Sequence, residues 1–207
     1  MNMKDMTVTE LNDCTASSSP APGGGSISAM AGAYAAALVC MVAKLTLNKK
    51  GYEEATDLMR ELDGKGELLR KELLNDIQKD SESFNAYMAA LSLPKDSEEE
   101  RAARRFAMQE ALKSASSVPL SVAYKCQNVL NLALSAMEKG NQNTVSDGMV
   151  SVLLARAALL GAVNNVRINL GGIKDESFVK DMADQCKALE THANQQEAVA
   201  RSVLDMR

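Results

Sequence analysis

The chain has 207 residues, 46% of them hydrophobic and 24% charged, which suffices for one domain with a full core or for a helical unit that completes its core by pairing. A net charge of −4, with no basic stripe interleaved with aromatics, argues against nucleic acid as a partner. Four well-separated cysteines (Cys14, Cys40, Cys126, Cys186) and the single His192 lack metal-ligand spacing, so no metal site is expected and the thiols read as reduced, in a cytoplasmic protein.

Met1 to Asp13 has no apolar run and is not expected to act as a secretory signal. Within it, Thr7-Val8-Thr9-Glu10 is a capping-box pattern that predicts a short helix to about Ala16. A small-residue, proline-braced loop follows, Ala16 to Gly25, and Ser26 is placed to cap a helix ending near Asn48. From Ser26 to Ala43 there is no charge for 18 residues, but Ala, Gly and Ser dominate, which suits a buried core helix better than a membrane span.

Tyr52 to Leu93 is amphipathic with helical period, and Gly64 and Gly66 predict a bend or break within it. Pro94 ends that helix; Ser97 with three following acids starts the next, which reaches about Lys139 with a kink predicted at Pro119. Lys139-Gly140-Asn141 is a stop signal, Ser146-Asp147 opens an apolar helix over Met149–Val166, and Gly171-Gly172 closes it. A final polar helix spans about Asp175 to Leu204. The expected fold is therefore all-α: an up-and-down bundle of long, partly kinked helices forming one domain over 1–207. Two helices apolar on nearly all sides further predict a homodimer joined through helix faces.

Neither a serine nor a cysteine triad can be assembled from one distant histidine, so carboxylates, lysines and amides are the candidates for chemistry. Pro22, Gly23, Gly24, Gly25 and Ser26 form a floor on which a ligand can approach bare N–H groups at a positive helix end. Asp80, Phe84 and Tyr87 share one helix face at i, i+4 and i+7, a carboxylate beside two rings that suits a flat, nitrogen-rich heterocycle. Ser146-Asp147 is a second acidic position, and Asn164, Asn165, Arg167 and Asn169 close an apolar helix with groups that need partners if buried. Lys95 is a cation at a helix-ending corner. Ordinary packing, capping and solvated turns generate the same patterns.

The ordered blocks narrow this choice. Ser19-Pro-Ala-Pro-Gly-Gly-Gly-Ser26, Met41-Val-Ala-Lys-Leu-Thr46, Asp80-Ser-Glu-Ser-Phe-Asn85, Leu93-Pro-Lys95, Val118-Pro-Leu120 and Asn165-Val-Arg-Ile-Asn-Leu170 together resemble the cyclodeaminase domain of the formiminotransferase-cyclodeaminase family over nearly the whole chain. The resemblance implies a dimeric all-helical fold and a tetrahydrofolate one-carbon substrate. The implied reaction is hydrolysis of 5,10-methenyl-tetrahydrofolate, or cyclisation of 5-formimino-tetrahydrofolate with release of ammonia. The resemblance implies folate contacts from the glycine loop; from the chemistry of that carbon we read Asp80 as the catalytic carboxylate, Asp147 and Lys95 as further catalytic candidates, and Phe84, Tyr87, Asn165, Arg167 and Asn169 as folate contacts. No metal or redox cofactor is expected for addition and elimination at that carbon. A non-catalytic helical scaffold or folate-binding protein is the competing reading from another class.

Overall fold

The computed structural model describes residues 2–206. Its main helices are α1 (Val8–Ala16), α2 (Gly24–Thr46), α3 (Thr56–Leu91), α4 (Glu98–Lys139), α5 (Val145–Leu170) and α6 (Glu176–Asp205), with three short 3-10 turns and no strand among the described residues. Both capping boxes form: Thr7 with Glu10 starts α1, and Ser97 with Glu100 starts α4. Asp175 caps α6 by accepting from the Phe178 N–H, and Gly140 ends α4 as expected.

Helix directions follow from the cross-contacts. Ser26 meets Ile77, while Cys40 meets Asp63, so α2 and α3 are antiparallel. Ser151 reaches Ala35 from α5, and a Cβ on Gly161 would abut Ser28, so α5 is antiparallel to α2 as well. Arg104 of α4 bonds the Leu91 carbonyl of α3, and Lys125 pairs with Asp76, which makes that pair antiparallel too. The bundle is thus up-and-down, with α2 at its centre between α3, α4 and α5, and with α6 laid against α4 and α5.

Such close approach requires small residues, and the sequence supplies them on α2: Ala29, Ala33, Ala35, Ala36 and Ala43 are all buried. The stretches Gly24–Thr46 and Gln142–Leu170 are each long and apolar enough to cross a membrane; here they form the middle of the bundle, their most apolar windows 61% and 50% buried.

The expected break near Gly64 and Gly66 does not occur, because α3 is continuous across both. Gly66 serves packing instead: a methyl group there would lie 2.7 Å from Cys40 Sγ, so the missing side chain lets α2 and α3 close on each other. Helix α4 likewise runs through Pro119 as one helical element. Serine back-bonds accompany it, with Ser116 donating to the Leu112 carbonyl and Ser117 to that of Lys113.

Candidate active site

The N-terminus of α2 differs from its expected form in one respect. Gly23 is the cap residue and offers no side chain, so Ser26 lies inside the first turn, where its hydroxyl turns across to α3. There it donates to Asp80 Oδ2 at 2.9 Å or to the Ile77 carbonyl at 3.0 Å, with Ser81 Oγ 3.2 Å away. The carboxylate of Asp80 therefore occupies the place at the head of α2 that a capping side chain would normally fill. Gly25 makes room for it: a Cβ at that position would fall within 2.7 Å of both carboxylate oxygens.

Two influences oppose each other at Asp80. Burial raises its pKa by penalising the charged form, while hydrogen bonds from the Ser26 side chain and backbone lower it; the balance leaves it above the ordinary aspartate value. A half-buried carboxylate that takes up a proton more readily than a free one is suited to general acid–base work.

Around this group lies a cavity of about 320 Å³, at the lower end of the range for small-molecule sites. Its floor is Pro20, Ala21 and Gly23 to Gly25; one wall is Asp80, Ser81, Ser83, Phe84 and Tyr87 of α3; the other is Ala115 of α4 with Asn165, Ile168 and Asn169 of α5. The glycine loop, the Asp80-Phe84-Tyr87 face and two of the α5 amides, read separately in the sequence, thus meet in one place.

Ser26, Pro22, Arg167, Asp147 and Lys95 lie outside this lining, and of these Ser26 acts on it through its bond to Asp80. Pro22 is buried but does not face the cavity. Arg167 is two residues from both Asn165 and Asn169, about 200° around the helix, and its guanidinium forms a bidentate pair with Glu190 of α6 at 2.6 and 2.7 Å. Asp147 is 18 residues before Asn165 on the same helix, about 27 Å along its axis. Lys95 is exposed in the turn between α3 and α4.

Residues 7–188 match the formiminotransferase-cyclodeaminase family. The chain belongs to that family. It is 43% identical over 183 residues to a methenyltetrahydrofolate cyclohydrolase from Methylorubrum extorquens, covering 88% of each chain. It is 36% identical to the formimidoyltransferase-cyclodeaminase of Gallus gallus over 91% of this chain, yet spans only 35% of that longer protein. The crystal structure of a formiminotetrahydrofolate cyclodeaminase from Thermotoga maritima matches 98% of this chain and 97% of its own, with TM-score 0.89 and 32% identity.

Some cavity residues of this family member had no sequence signal of their own. Ser81 and Ser83 belong to the Asp80–Asn85 block, but the sequence singles out neither for a role of its own, and Ile168 resembles a core residue although it is 78% exposed. Ala115 does carry a signal in retrospect, since the carbonyl four positions before a helix-interior proline lacks its helical donor and takes one from elsewhere, here Asn169. Elsewhere, Cys40, Asp63 and Glu67 could together hold a cation, but Lys44 Nζ already lies 3.2 Å from both carboxylates.

Proposed function

We propose that this chain is a tetrahydrofolate one-carbon enzyme that hydrolyses 5,10-methenyl-tetrahydrofolate to 10-formyl-tetrahydrofolate, using Asp80 as proton acceptor and donor. The observation that carries this reading is the Asp80 carboxylate, pinned by Ser26 against Gly25 at the edge of a cavity walled by two aromatic rings and two amides. The relative from Methylorubrum extorquens, which this chain matches over 88% of each sequence, favours hydrolysis over ring closure.

The methenyl carbon bridges N5 and N10 as part of a delocalised cation, and a carboxylate beside it stabilises that charge. Water oxygen bonds to the bridging carbon while one water proton passes to Asp80, giving a neutral carbinolamine. Asp80 then returns the proton to N5 as the carbon–N5 bond breaks, and the hydroxyl loses its proton to solvent as the formyl C=O forms. The sum is one cation and one water converted to 10-formyl-tetrahydrofolate and one proton. Ring closure uses the same acid–base group in the other sense: N10 attacks the carbon of the protonated formimino group, the N10 proton is relayed through Asp80 to the departing nitrogen, and ammonia leaves with the positive charge retained on the methenyl product.

Phe84 and Tyr87 supply a stacking surface for a flat ring system. Asp147, Lys95 and Arg167 take no part at this cavity within one subunit. A homodimer through helix faces fits the exposed Tyr34 and Leu45 on α2 with Val150 and Leu153 on α5, and free cysteines fit a cytoplasmic setting. The proposed chemistry transfers no electrons and so requires no redox cofactor.

The test follows the methenyl absorbance band with purified protein. Decay of the band supports hydrolysis; its growth from formimino-tetrahydrofolate, with ammonia release, supports ring closure instead. A folded protein inert toward both substrates would overturn the enzymatic reading.

A further inference from the structure

Pro119 lies in the interior of α4, and proline has no N–H. The carbonyl four residues earlier, that of Ala115, therefore lacks the helical hydrogen bond it would receive from position 119. Ala115 is buried, where an unpaired carbonyl is unfavourable. Asn169 on α5 answers it, with Nδ2 donating to the Ala115 oxygen at 2.8 Å. The same nitrogen donates to the Asn165 carbonyl at 3.0 Å, so both of its hydrogens are engaged and the amide has one orientation. That leaves Asn169 Oδ1 with no partner among the described residues, on a side chain that lines the cavity.

One turn earlier the pattern repeats. Asn165 Nδ2 donates to the Gly161 carbonyl at 2.8 Å, and Asn165 Oδ1 is likewise unpartnered among the described residues.

We propose that Pro119 is a positioning residue for the substrate. By freeing the Ala115 carbonyl it fixes the Asn169 amide, so that Asn169 and Asn165 present two acceptor oxygens, one helical turn apart, to an N–H-bearing edge of a flat heterocycle. The inference rests on the folate reading of the cavity, since a reduced pterin carries ring and amino N–H groups along one edge. A heterocycle presenting acceptors there meets two acceptors and is rejected. Asn169 acts as the contact, and Pro119 acts only through it.

Pro119→Ala restores an N–H that competes for the Ala115 oxygen. The variant is expected to melt no lower than the wild type, because alanine suits a helix interior better than proline. Its KM for 5,10-methenyl-tetrahydrofolate should rise about five- to tenfold with kcat within about twofold, the signature of lost uniform binding. Asn169→Ala should raise KM comparably, and the double variant should show less than the product of the two single effects. An unchanged KM in Pro119→Ala, or two effects that multiply fully, overturns the proposal.

A second readout needs no ligand. Exchange of the Asn169 side-chain amide hydrogens, followed by NMR in the free protein, should accelerate in Pro119→Ala, or in Pro119→Ser should the first variant fold poorly; unchanged exchange refutes the positioning role. Were the wild type to turn over neither folate, the functional reading would fall, and this amide exchange would still decide the role of Pro119.

Discussion

Replacing Gly25 by alanine puts a methyl group where the Asp80 carboxylate lies. The added carbon would fall 2.6 Å from Asp80 Cγ, whereas comfortable carbon–carbon contact begins near 3.5 Å, so the carboxylate must withdraw by about 1 Å. A shift of that size at a reacting group lowers the rate roughly 100-fold. It also breaks the 2.9 Å bond from Ser26, worth about 1 kcal/mol of stability net of hydration. Gly24 provides the comparison, because a methyl there would meet only the Asn165 side-chain amide, Nδ2 at 3.4 Å and Oδ1 at 3.9 Å, both ordinary contacts. The assay is decay of the methenyl absorbance with both variants, alongside circular dichroism to verify folding. Gly24→Ala should stay within a few-fold of the wild type while Gly25→Ala falls by about two orders of magnitude. A folded Gly25→Ala retaining most of its rate would refute the placement of Asp80 in the chemistry.

Asp80→Asn should abolish turnover without lowering the melting temperature at neutral pH, because it removes a charge that burial disfavours. The sign is fixed by the raised pKa: the contribution of Asp80 to stability is present below its unfolded pKa and is lost as pH rises through the folded value. Any advantage of the asparagine variant should therefore shrink as pH falls through that folded value, and a variant that melts lower at pH 7 contradicts this. Gly66→Ala should destabilise by about 1–3 kcal/mol through overlap with Cys40 Sγ, and in a Cys40→Ala background the same change should be neutral or stabilising in denaturant titrations. Burial pushes the Cys126 thiol up to about 12 and that of Cys40 to about 11, so an alkylating reagent at neutral pH should label half-buried Cys14 first. Equal labelling of Cys126 in the native protein would contradict the described core.

The helices were legible because their signals are local. Thr7 with Glu10 and Ser97 with Glu100 sit three residues apart, and both boxes form as spaced. Asp80, Phe84 and Tyr87 share a face by period alone, as do Asn165 and Asn169. What lay beyond reach was direction across the bundle. Ser26 resembles a cap until α3 is present to take its hydroxyl, and Gly66 resembles a weak point until Cys40 is seen opposite. Arg167 could have been set apart from the asparagines by helical angle, since 200° separates neighbours at i+2. The 27 Å between Asp147 and Asn165 followed equally from the helix rise once α5 was taken as continuous.

The head of α2 has no side-chain cap of its own, and the group that satisfies it arrives from 54 residues later in the chain. During folding the first turn of α2 therefore stays frayed until α3 docks, and the docking that completes the helix is the same event that seats the carboxylate. The chain accordingly has no stage at which this end of the bundle is finished while the reaction centre is still unassembled. Amide exchange at Gly24, Gly25 and Ser26 would track both at once.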